Sequence, residues 1–198
     1  MAIKKVAILV TIDTGEQSQS CYSGRSDKFP KGHNRLSVPG ADETYVVGIH
    51  NSNANRTHNF MEMPNRDEML DCAAHELGHV LSAVFEYPEG MMNDPRQLGE
   101  LPYPWSTPNP EQKKRMIANE ALAWKLAEKV RPNLDRDGAA KDLKSYTDNP
   151  HELDMNEIDT ELAKMDPSKR KAAGAAVKGL RDLLNSDKMA KLLAEDAD

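Results

Sequence analysis

Aromatic residues are scarce, with three Phe, two Trp and five Tyr in 198 positions, so a core must be built from Leu, Val, Ile, Ala and the ten Met. Long apolar runs are missing as well. No stretch approaches the roughly 20 apolar residues of a membrane-spanning helix, which argues against that class of protein. The short run at residues 6–10 follows two lysines but lacks a small-residue cleavage site, so a buried strand is expected there rather than a signal peptide. Positive charge is not in excess: 26 Lys+Arg against 32 Asp+Glu leave a formal charge of −6, unfavourable for gripping nucleic-acid phosphates. Cysteines number two, Cys21 and Cys72, and form neither a CxxC pair nor a closely spaced framework. That suggests a reducing, cytoplasmic setting.

What is present suffices for a globular fold. Hydrophobic residues at 38% and charged residues at 29% argue against a disordered chain. The expected organisation is one α+β domain over residues 1–150, with a helical segment over 151–198 packed on it. Strands are expected at residues 4–12 and 43–50, separated by a polar excursion over 14–40, and a weaker strand at 57–63. A helix should begin near Asn65, with Asn65 and Glu68 spaced as a capping box, and end before Pro88 and Gly90. After a proline-rich link containing Pro95, Pro102, Pro104 and Pro108, a second helix should start at Asn109–Pro110 and stop before Pro132. Residues 135–144 are polar, and 149–152 read as another helix start. A last helical region follows Asp166–Pro167, with Gly174, Gly179 and Asn185–Ser186 as breaks.

One segment carries chemistry: His75-Glu76-Leu77-Gly78-His79, an HExxH motif inside the most strongly periodic helix. Histidines four apart lie on one helix face, one turn above the other, so both imidazoles can bind a single metal ion. Glu76 lies about 100° around the helix from His75, within reach of a water on the metal and suited to act as general base. The bland alternative is a helix with two solvated histidines. Its weakness is that the segment is otherwise apolar, and unpartnered imidazoles and a carboxylate are costly to bury.

Catalytic zinc sites use three protein ligands and leave a position open. The later histidine of the longer metzincin pattern is absent, because Ser82 and Phe85 occupy those places. A downstream carboxylate is the remaining standard solution. Glu120 sits on the second helix with Ala123, Trp124 and Ala127 at plus three, four and seven, so it projects from an apolar stripe where a metal is its strongest partner. Its rival, Glu152, fits a capping box with Asn149.

His75-Glu76-Leu77-Gly78-His79 followed by Glu120-Ala121-Leu122-Ala123 resembles the gluzincin pattern, HExxH and then ExxA on a later helix. It is most similar to small ImmA/IrrE-type and phage-encoded bacterial metallopeptidases. The similarity spans about 65 residues, 65–131, and nothing outside that span matches the pattern. The resemblance implies a zincin-like fold, a small mixed or antiparallel sheet packed on the HExxH helix. It further implies a zinc metallopeptidase holding Zn2+ through His75, His79 and Glu120, with Glu76 as general base toward a zinc-activated water and a protein or peptide as substrate. Tyr103, Tyr146 and His151 are the candidate oxyanion donors. By the same resemblance, residues 43–50 would be the edge strand that pairs with an extended substrate. A zinc-stabilised regulatory or virion protein with a silent site is the alternative. His33, His50 and His58 read as ordinary loop or strand histidines, and Cys72 as a small buried hydrophobe.

Overall fold

The computed structural model describes residues 5–13, 21–28, 36–50, 66–85, 107–146, 163 and 166–195. Among them a small mixed sheet is combined with five helices, an α+β arrangement. Alternating β-branched and aromatic residues produce the strands. In β1 (Val6–Asp13) Val6, Ile8 and Val10 turn toward the core, and in β3 (Glu43–His50) Tyr45, Val47 and Ile49 do the same. Strand β2 (Tyr22–Arg25) completes the sheet in the order β1-β3-β2, with β1 parallel and β2 antiparallel to β3.

This order corrects the expectation that residues 43–50 form a free substrate-binding edge. Val46 and Val47 are paired with Leu9 and Val10 on one side and with Gly24 and Ser23 on the other. Both hydrogen-bonding edges of β3 are therefore occupied, and the sheet edges among the described residues belong to β1 and β2. The excursion over 14–40 also proves to contain an element, since Tyr22 to Arg25 pair with Tyr45 to Gly48. With only four residues and a Gly among them, β2 has too little periodicity to be read from sequence.

Helix α1 (Arg66–Phe85) covers the sheet, burying Leu70, Ala73, Ala74, Leu77, Val80 and Leu81. Helix α2 (Pro110–Val130) lies against α1 in the most extensive packing of any element pair among the described residues. Its start follows local chemistry. Asn109 Oδ1 accepts the Gln112 backbone N–H at 2.9 Å, Gln112 Oε1 accepts the Asn109 N–H at 2.9 Å, and Pro110 occupies the first turn. Fully buried Leu77 and Leu122 each contribute about 1.5–3 kcal/mol of apolar burial.

Residues 135–144, read only as a polar stretch, fall largely within α3 (Arg136–Tyr146). Asp135 Oδ1 accepts the Asp137 N–H at 3.0 Å, and Ala139 and Leu143 pack on the core, so capping and tertiary contact override a polar composition. Helix α4 (Pro167–Leu184) starts at Asp166, whose side chain accepts the Ser168 N–H at 2.8 Å. Gly174 and Gly179 do not interrupt it. The break comes at Asn185–Ser186, before α5 (Asp187–Glu195). Ala173, Leu180, Leu184, Met189 and Leu193 enter the same core as α1 and α2, so the C-terminal helices pack on the α1–α2 unit.

The two cysteines are joined. Cys21, just before β2, and Cys72, on α1, form a disulfide with Cα atoms 6.3 Å apart. Cys72 is thus no lone buried hydrophobe. Disulfides persist in oxidising surroundings, so the reducing compartment read from the cysteine spacing loses that support. No helix among the described residues is long and apolar enough to cross a membrane. The expected strand at 57–63, the cap at Asn65, the stop at Pro88 and Gly90, Pro95, Pro102 and Pro104, and the helix start at 149–152 lie outside the described residues.

Candidate metal centre

Two helices bring three donor atoms together. His75 and His79 project from one face of α1, and Glu120 meets them from the middle of α2. The His75 and His79 Nε2 atoms are 3.1 Å apart, and Glu120 Oε2 lies 3.1 Å from the first and 3.3 Å from the second. Donors bound at about 2.0–2.1 Å from a tetrahedral zinc are about 3.3–3.4 Å from one another. The triangle is therefore close to the size such an ion requires, and its donor set of two imidazoles and a carboxylate suits a borderline divalent metal.

Close approach of the helix backbones makes the convergence possible. A Cβ at Gly78 would sit 2.2 Å from the Ala123 carbonyl oxygen, so no side chain larger than hydrogen fits between α1 and α2 at this level. Ala123 is completely buried at this contact, and Glu120, one turn before it on α2, reaches the histidines from there.

The site is shielded from solvent. Glu120 is 3% exposed, and His75 and Glu76 are 8% exposed. Burial alone would raise the Glu120 carboxyl pKa, but hydrogen bonds from His75 and His79, together with their charge, outweigh it and hold the group well below the ordinary carboxylate range. Glu76, the next residue after His75, is displaced about 100° around α1 and stays out of the donor triangle. The expected trio is assembled as the sequence indicated. Glu152, His151 and Tyr103 lie outside the described residues, as do His33 and His58 and the side chains of Tyr146 and His50.

Several supporting residues were not singled out by sequence. Asp71, one turn before His75, accepts the Arg131 Nε–H with one oxygen and the Asp135 backbone N–H at 3.0 Å with the other. Arg131 also donates to Asp67 at 2.8 Å, so one guanidinium at the end of α2 clamps the first two turns of α1. The Trp124 indole lies against the His75 imidazole with ring centroids 4.2 Å apart and donates its N–H to Asp142 of α3 at 2.9 Å. Trp124 had a visible signal, its place four residues after Glu120 on the same face. Asp71, Arg131 and Asp142 are ordinary charges in sequence, and only the fold distinguishes them. No protein-family model, curated protein or solved structure matches this chain.

Proposed function

We propose that this protein is a zinc-dependent metallopeptidase of the gluzincin type, with a zincin-like fold, that hydrolyses peptide bonds in a protein or peptide substrate. The observation that carries the reading is the convergence of His75 Nε2, His79 Nε2 and Glu120 Oε2 within 3.3 Å of one another, with Glu76 alongside on the same helix. These three side chains would hold the ion. Zinc bound there supplies Lewis-acid polarisation of a carbonyl and lowers the pKa of a water to about 7. Glu76 takes the proton of the attacking water and delivers it to the leaving amine as the peptide bond breaks. Its position outside the donor triangle leaves its carboxylate available for that transfer.

A silent, zinc-stabilised protein is the second reading, and the burial of His75, Glu76 and Glu120 favours it. Ligand chemistry favours the peptidase, because structural zinc sites are closed by four ligands, commonly cysteines, whereas two histidines with one glutamate are a catalytic set. The Cys21–Cys72 bond supports an oxidising compartment over the cytoplasm.

The deciding experiment is hydrolysis of a broad peptide library by zinc-loaded wild-type protein and by Glu76→Gln. The peptidase reading expects cleavage by the wild type and a fall of about 10²–10⁴-fold in the variant with zinc retained. Equal turnover in both, or no cleavage by the zinc-loaded wild type, would overturn it.

A further inference from the structure

A metal-ligating histidine is commonly oriented by a carboxylate or carbonyl that accepts a hydrogen bond from its second ring nitrogen. Among the described residues His75 has none: its Nδ1 is buried without a hydrogen-bond partner. Something else must fix the ring. The Trp124 indole is packed against it, centroids 4.2 Å apart and planes inclined by 39°. Trp124 is itself held, since its Nε1–H is donated to Asp142 Oδ2 at 2.9 Å across the interface between α2 and α3. Helix α2 thus contributes twice to the same histidine, a carboxylate from Glu120 and, one turn later, an aromatic surface from Trp124.

We infer that Trp124 is a positioning residue for His75, and that the Asp142 carboxylate locks the indole in the rotamer that performs this task. The inference rests on the metal-site reading above. An indole has two side-chain torsions, restrained here by contact with His75 and by packing against the hydrophobic core. The hydrogen bond to a different helix removes the remaining freedom, so the imidazole cannot turn its Nε2 away from His79 and Glu120 without displacing a ring that α3 holds in place. This also gives α3 a role. It reaches the metal centre through the Asp142 carboxylate while Ala139 and Leu143 anchor it to the core.

The test is zinc affinity, measured by competition with a chromophoric chelator on wild-type protein, Trp124→Leu, Trp124→Phe, Asp142→Ala and the double variant Trp124→Phe/Asp142→Ala. Denaturant midpoints of the metal-free proteins are measured in parallel. Loss of an orienting partner typically weakens metal binding by about 10–100-fold, and Trp124→Leu and Asp142→Ala are expected in that range. Trp124→Phe, which keeps a ring but has no N–H, should recover part of the affinity, and adding Asp142→Ala to it should cost no more zinc binding. Unchanged affinity in Trp124→Leu and Asp142→Ala, with only lower midpoints, would reduce both residues to a packing role and overturn the inference. If Trp124→Leu does not fold, Asp142→Ala decides on its own. Failure of the wild type to take up zinc would instead remove the metal site on which the inference stands, so the two failures are told apart.

Discussion

The Ala123 carbonyl oxygen lies 2.2 Å from the point a Cβ on Gly78 would occupy. Backbone meets backbone there, one residue before His79, and neither helix can yield without moving His75 and His79 or Glu120. Gly78→Ala is therefore expected to push α1 and α2 apart. Overpacking of this kind costs about 1–3 kcal/mol, seen as a lower urea midpoint. Zinc affinity should fall by at least about tenfold, because the donors of α1 and α2 separate together. A variant with wild-type affinity would show that the helices need not touch at this level.

Glu120→Gln keeps an oxygen and the side-chain shape but removes the charge that His75 and His79 engage. Zinc binding should weaken markedly. The pH dependence of the metal-free protein should change as well. A carboxyl held below its ordinary value of 4.5 contributes stability that is fully present above that value and is lost as pH falls through the lower, folded-state one. Wild-type protein should thus lose stability below about pH 4.5 more steeply than Glu120→Gln, as read from unfolding midpoints across an acid series. Parallel curves would contradict the assignment.

The clamp of Asp71 on Arg131 makes a separate claim about the scaffold. Asp71→Ala strips a buried guanidinium of its nearest carboxylate and leaves the Asp135 N–H without its partner. Breaking such a pair from one side costs about 3 kcal/mol or more. Arg131→Lys keeps the charge but cannot serve Asp71 and Asp67 with a planar fork, so an intermediate loss is expected. Chemical denaturation distinguishes these values from the near-neutral effect of an exposed ion pair.

Reduction of the Cys21–Cys72 bond should lower stability while leaving His75, His79 and Glu120 in place. The bridge spans a sequence separation of 51, and closing a loop of that size stabilises a fold by about 2–4 kcal/mol. A thiol reductant, or Cys21→Ser with Cys72→Ser, should lower the thermal midpoint by several degrees. Identical midpoints with and without reductant would show that the tie contributes nothing.

How much of this was legible in the sequence depended on the length over which each signal repeats. Helices α1 and α2 run about 20 residues each, carry continuous apolar stripes and start or stop at recognisable punctuation, and their limits fall close to those expected. His75, His79 and Glu120 were visible because a helix converts a four-residue spacing into a shared face, and because a lone carboxylate on an apolar stripe demands a partner. Strand β2 and helix α3 were not, being short or polar and defined by what they pair or pack against. The place of β3 in the middle of the sheet was equally hidden. Strand order is a relation between distant segments, and the hydrophobic pattern of residues 43–50 is the same for a central strand as for an edge.

We propose that His75, His79 and Glu120 together hold one divalent ion while Glu76 stays off it. Elemental analysis of gently purified wild-type, Glu76→Gln and Glu120→Ala proteins tests this most directly. About one zinc per chain is expected in the first two and a clear deficit in the third. No stoichiometric metal in the wild type, or full occupancy in Glu120→Ala, would contradict it.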